Sequence, residues 1–149
     1  MYQKSTTKEI KKALVSNFNH SFSVRRGKGT AYHWINISWT DGPSDETVRN
    51  FCFKFNDSGR DDIQTDLWCG SQYTTEHREN SAKAFQWAVN EIEKEWGVKL
   101  KVTLIDSWRA DGSQTAYIDR DDDILIGNRH ASQLVNIKLF ETDFRNIKL

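Results

Sequence analysis

Apolar residues return every four positions near the start of the chain, at Ile10, Leu14 and Phe18, the stripe of an amphipathic helix. Thr6 and Glu9 stand at capping-box spacing, so the helix is expected from about Thr7 to Phe18. The period then falls to two. Phe22 and Val24 alternate with Ser21, Ser23 and Arg25, which predicts a short strand. From Tyr32 to Trp39 a second strand puts Ile35, Ile37 and Trp39 on one face and Trp34, Asn36 and Ser38 on the other. "TDGPS" supplies turn residues, with Ser44 placed as a helix cap. Val48, Phe51, Cys52 and Phe55 then fall at i, i+3, i+4 and i+7, a second helical face that makes Cys52 a small core residue.

"NDSGRDD" reads as a surface loop, and Thr65 to Glu76 as a strand or a hairpin around Gly70. Ser81 opens a third helix in which Phe85, Ala88, Val89, Ile92 and Trp96 share a face, expected to be core, and Gly97 ends it. Leu100, Val102 and Leu104 alternate as a strand. Gln114 to Ile118, Asp123 to Ile126 and Leu134 to Phe140 read as further β segments. The order predicts an α+β fold with about three helices on a mainly antiparallel sheet, in a single domain over residues 1–149. Short turns such as the one around Lys28 suit hairpins rather than parallel crossovers.

Composition adds little until the charges are placed. The 149 residues are 37% hydrophobic and 28% charged, with one proline, which predicts an ordered globular chain. Net charge is zero, which argues against a uniformly basic nucleic-acid binder. Up to residue 30, however, Lys4, Lys8, Lys11, Lys12, Arg25, Arg26 and Lys28 are opposed only by Glu9. The remainder is correspondingly acidic, and the molecule is expected to be bipolar. Two cysteines, Cys52 and Cys69, are too few for a disulfide framework. With no apolar run long enough to span a membrane and no signal-like start, an intracellular, cytoplasmic location without membrane contact is expected.

Candidate chemistry is sparse. Asp119, Asp121 and Asp123 have the opening spacing of a calcium loop, but the sixth and twelfth positions hold Ile124 and His130 where that loop needs glycine and glutamate. A charged hairpin turn is the better reading. His20, His33, His77 and His130 are scattered, so no metal and no cofactor are expected. "RRGKGT" lacks the ending of a P-loop. As a basic hairpin tip, Arg25, Arg26 and Lys28 could contact phosphates, with Tyr32 or Trp34 stacking on bases, or else Trp34 is core and the arginines guard a sheet edge.

"FSVR", a variable loop, a strand ending in "WTDGP" and a following helix occur in this order within "ALVSNFNHSFSVRRGKGTAYHWINISWTDGPSDETVRNFCFKF". This stretch resembles the large polyvalent protein-associated domain of phages, plasmids and conjugative elements. The resemblance runs over about residues 13–79 and leaves 80–149 unmatched. It implies context, a protein made within or delivered into a host cell, and assigns no catalytic residues. Under it "WTDGP" is a structural turn, and the chain is expected to depart from the large multidomain pattern as a free-standing protein with its own C-terminal half.

The leading expectation is a non-enzymatic binding protein of a mobile element that acts on host defence or DNA-handling machinery. Its most concrete version is a CRISPR or restriction inhibitor, with a host protein or protein–nucleic acid complex as partner. Asp119, Asp121, Asp122 and Asp123 could mimic nucleic acid to a basic groove. The alternative is direct DNA or RNA binding through Lys8, Lys11, Lys12, Arg25, Arg26 and Lys28. Trp68 and Trp108, beside polar loops, are candidate exposed aromatics for either. An enzyme built on His77, Arg78 and Glu79, or on Asp61, Asp62 and Asp66, is the least favoured reading because no mutual geometry is recognisable.

Overall fold

Thr6 accepts the Glu9 backbone N–H at 3.2 Å and the Glu9 carboxylate accepts that of Thr6 at 3.3 Å, closing the predicted box at the start of α1 (Thr7–Phe18). The computed structural model describes residues 5–56, 60–62, 67–69, 72–107 and 112–149, with 60–62 and 67–69 described in backbone only. The chain divides into two compact units, residues 1–79 and 80–149.

In the first unit, β1 (Ser23–Arg26) and β2 (Trp34–Thr40) form the expected antiparallel hairpin, with Arg25 opposite Asn36. Ser44 caps α2 (Asp45–Cys52) by accepting from the Thr47 N–H. A 3-10 turn, Phe53–Phe55, follows. Part of the expected surface loop is instead β3 (Arg60–Asp62), paired antiparallel with β4 (Leu67–Cys69). β5 (Tyr73–Glu79) belongs to a different sheet: it lies parallel to β2, with Trp34 beside Tyr73 and Asn36 beside Thr75. The central sheet is therefore mixed, β1-β2-β5, because the chain from β2 through α2 to β5 is long enough for a parallel crossover.

Ile10, Leu14 and Phe18 of α1, Val48 and Cys52 of α2, and Ile35, Ile37 and Trp39 of β2 form one buried cluster. Both helices therefore lie on the same face of the sheet. Burial and Glu76 push the Cys52 thiol up to about 12, Lys54 opposing, so it stays a neutral core group. The "WTDGP" turn closes beside this core. Trp39 Nε1 donates to the Pro43 carbonyl at 2.9 Å, and buried Arg78 donates to the carbonyls of Asp41 at 3.1 Å and Gly42 at 3.3 Å. His20 Nε2 meets the Thr40 carbonyl at 2.8 Å.

In the second unit α3 (Ala82–Trp96) starts at the Ser81 cap and stops at Gly97. Ala84, Ala88, Val89 and Ile92 are buried. Trp96, expected in the core, is 49% exposed, because the helical period gives its direction but the core ends a turn earlier. β6 (Thr103–Asp106) pairs antiparallel with β7 (Gln114–Tyr117), and β8 (Leu125–Ile126) with β9 (Arg129–His130). The expected strand Leu134 to Phe140 is helical: α4 (Ala131–Glu141) buries Ala131, Val135 and Leu139 at four-residue spacing and is capped by His130 with Gln133. These residues close a second core with α3, Ile118, Ile126 and Phe144. The architecture is α+β, with four α-helices among the described residues.

Candidate nucleic-acid interface

Strand alternation sends Ile35, Ile37 and Trp39 into the core, so Trp34, Asn36, Ser38 and Thr40 must occupy the opposite face of β2. Both helices of this unit pack on the core face, and neither covers this one. Trp34 is 44% exposed, which decides against the core reading of its indole. In register beside it stands Tyr73 of β5, the two ring centroids 5.3 Å apart and tilted by 39°. One row further along the face run Arg25, Asn36 and Thr75, one from each strand. The Thr75 hydroxyl donates to Asn36 Oδ1 at 2.7 Å, which leaves the amide donors of this exposed side chain available. The next row is Ser23, Ser38 and His77.

Adjacent arginines part company here. Arg25 is exposed on the aromatic face. Arg26, one residue on, turns to the other side, where it donates to the Tyr32 carbonyl and to Gln72 Oε1, both at 3.1 Å. Its guanidinium also lies 4.8 Å from the centroid of the Tyr32 ring. Gln72 is buried and passes the link on by donating to the Phe55 carbonyl at 3.1 Å. Arg26 therefore holds the β1–β2 loop in place. Lys28 and Tyr32 project from that loop as exposed side chains, at the Trp34 end of the sheet, where Gly27 N–H bonds the Trp34 carbonyl at 2.9 Å.

The basic residues nominated by sequence do not form one surface. Lys8, Lys11 and Lys12 are exposed on α1, whose buried stripe faces the core side of the sheet, so they belong to the helical layer behind the aromatic face. Only Arg25 and Lys28 accompany Trp34. The side chain of Trp68 and all of Trp108 lie outside the described residues, as do the side chains of Asp61 and Asp62 and all of Asp66.

The acidic cluster is a 3-10 turn, Arg120–Asp122, joining two separate hairpins rather than the tip of one. Asp119 Oδ1 accepts the Asp121 N–H at 3.3 Å. Asp123 accepts the Ser132 N–H at 2.8 Å and its hydroxyl at 2.6 Å. Partial burial works to raise the Asp123 pKa, but these bonds and His130 outweigh it and hold the group below the ordinary carboxylate value. Asp123 thus serves α4, while Asp119 and Asp121 are exposed. Among the described residues no group of three or more His, Cys, Asp or Glu side chains could hold a metal. His77 is exposed on the sheet face, whereas its neighbour Arg78 is committed to the "WTDGP" turn. No helix among the described residues is long and apolar enough to cross a membrane.

Sequence reasoning found Trp34, Arg25 and Lys28 but missed Tyr73, Asn36 and Thr75 as their neighbours. The alternation of "YTTEHRE" was the available signal for β5, yet its partner strand was not.

The family model described as large polyvalent protein associated domain 29 matches residues 1–98. The match takes in all of α1 and reaches through α3, beyond the 13–79 expected from sequence. No curated protein and no solved structure matches the chain.

Proposed function

The chain belongs to the large polyvalent protein associated domain 29 family, and from that premise we propose that it is a non-enzymatic, nucleic-acid-contacting protein of a mobile genetic element. The observation that carries this reading is the sheet face opposite α1 and α2, where Trp34 and Tyr73 adjoin in register, with exposed Arg25 in the next row and exposed Lys28 in the loop at the Trp34 end. Aromatic rings supply stacking surface and the two cations supply phosphate contacts. Two reactive side chains of this unit are committed to its structure: Cys52 is a neutral buried thiol and Arg78 a buried structural cation.

The test is binding of the full chain to labelled DNA over a range of salt. If two phosphates are met by Arg25 and Lys28, the Arg25→Ala, Lys28→Ala double variant should flatten the slope of log affinity against log salt by about 1.4 for a single strand. Binding with an unchanged slope would remove these residues from the interface. No binding at low salt would end the reading.

A second reading is favoured by a different observation. On the β6–β7 ribbon, Leu104 and Ile105 are half exposed, one on each face of the strand, and Leu125 of β8 is 65% exposed; exposed aliphatic side chains of this kind suit a protein partner. This supports action on a host protein, with a CRISPR or restriction component as the specific case. Capture of a purified defence complex by the wild type but not by a Leu104→Asp, Ile105→Asp variant is the expected outcome. Equal capture by both excludes the ribbon.

A further inference from the structure

We infer that the sheet face of residues 1–79 takes single-stranded nucleic acid, with unpaired bases stacked on Trp34 and Tyr73; this deepens the nucleic-acid reading above and rests on it. The first argument is geometric. In a duplex the π-faces of the bases are hidden in the stack, and sequence is reached only from the grooves, by an element that projects into them. Trp34 and Tyr73 are not on a projecting helix. They open β2 and β5 and lie in register across adjacent strands of a three-stranded sheet, a surface suited to bases already splayed out.

The second argument is electrostatic. Two exposed cations, Arg25 and Lys28, serve this face, while Lys8 and Lys12 stand on the helical layer behind it. A duplex binder draws most of its affinity from many phosphate contacts. Here two cations accompany two aromatic rings, a supply matched to a short unpaired segment rather than to the many phosphates of a duplex.

The third argument concerns what the rows offer a base once stacked. Successive rows on a strand face are about 7 Å apart, so a base on Trp34 places its edge near the row of Arg25, Asn36 and Thr75. With Asn36 Oδ1 held by Thr75 at 2.7 Å, the Asn36 amide group is oriented to donate to base acceptors. No aliphatic side chain of β1, β2 or β5 lies on this face, so its apolar area is that of the two rings, with hydrogen-bonding side chains in the rows beside them.

The experiment is fluorescence anisotropy of the full chain with a labelled twelve-nucleotide strand, alone and annealed to its complement, at low salt. The wild type is expected to prefer the single strand. Trp34→Leu and Tyr73→Leu keep apolar bulk but remove the ring, and each should weaken single-strand binding by roughly tenfold to hundredfold. Trp96→Leu, an exposed tryptophan of the other unit, should leave binding unchanged. Circular dichroism establishes that each variant is folded, and Trp34 lies outside the core, so its replacement tests contact rather than folding. Equal or tighter binding of the duplex, or single-strand binding indifferent to Trp34→Leu, would overturn the inference while leaving a nucleic-acid function standing. Absence of binding to either form would overturn both.

Discussion

Gly42→Ala and Gly29→Ala are chemically the same change and should differ in cost. Gly42 has φ +63 and follows Asp41 at φ +54; Gly29 has φ +61. Each substitution therefore meets the same left-handed backbone penalty, about 1–2 kcal/mol. Their surroundings differ. A Cβ at position 29 meets nothing within 4 Å, whereas one at position 42 stands 2.7 Å from His20 Nε2. That nitrogen is the one held at 2.8 Å by the Thr40 carbonyl, and the ring also packs edge-on against Phe22 at 5.8 Å between centroids. The imidazole must move and forfeit its hydrogen bond, a further ~0.5–1.5 kcal/mol.

Gly42→Ala should thus cost about 1.5–3.5 kcal/mol against about 1–2 for Gly29→Ala. The assay is urea unfolding followed by tryptophan fluorescence, since Trp39 is buried in this turn. A double-mutant cycle isolates the ring: with His20→Ala in place, adding Gly42→Ala should cost only the backbone part. Equal costs for the two glycines, or a Gly42→Ala penalty undiminished by His20→Ala, would refute the account of a turn locked by His20.

Three other expectations follow from the side chains. Arg26→Ala should lower DNA affinity even though the guanidinium faces away from the aromatic sheet face, and should destabilise residues 1–79 by about 1–3 kcal/mol through the Gln72 amide left buried without its partner; Arg25→Ala should leave unfolding unchanged. In a Cys69→Ser background, the Cys52 thiol, pushed up to about 12 by burial, should resist a thiol reagent at pH 8 until urea unfolds the chain, and fast native labelling would contradict its place in the core. The folded pKa of Asp123 is depressed below its ordinary 3.8, so its stabilising effect is present above that value and lost as pH falls through the folded pKa. Acid unfolding followed by circular dichroism should show a stability difference between wild type and Asp123→Asn that is full at pH 7 and closes on acidification; a difference independent of pH would remove the carboxylate from the α4 cap.

What could be read in advance is what a single periodicity decides. Ile10, Leu14 and Phe18 admit only a helical reading, and the Thr6–Glu9 box fixes where it starts. Ile35, Ile37 and Trp39 admit only a strand, which is why the exposed side of Trp34 was open to inference. Leu134, Val135, Ile137, Leu139 and Phe140 satisfy both periods, and the β reading lost because Ala131, Val135 and Leu139 bury together against α3. Alanine is a weak hydrophobic signal by size, yet at zero exposure it carries the helical line as surely as leucine.

The candidate site depended on facts of a different kind. Strand parity alone separates Arg25 from Arg26: residues one apart on a strand point to opposite faces, so "RR" could never be one grip. That step needed only the register of β1. Tyr73 needed more, because its partner is Trp34, thirty-nine positions earlier, across a parallel pairing that no local pattern encodes. Parallel neighbours are brought together by the crossover between them. The same crossover carries Gln72 under the β1–β2 loop, where it receives Arg26. One connection thus aligns the second aromatic ring and secures the loop that bears Lys28, and a change that shifted β5 by one residue would disperse both at once.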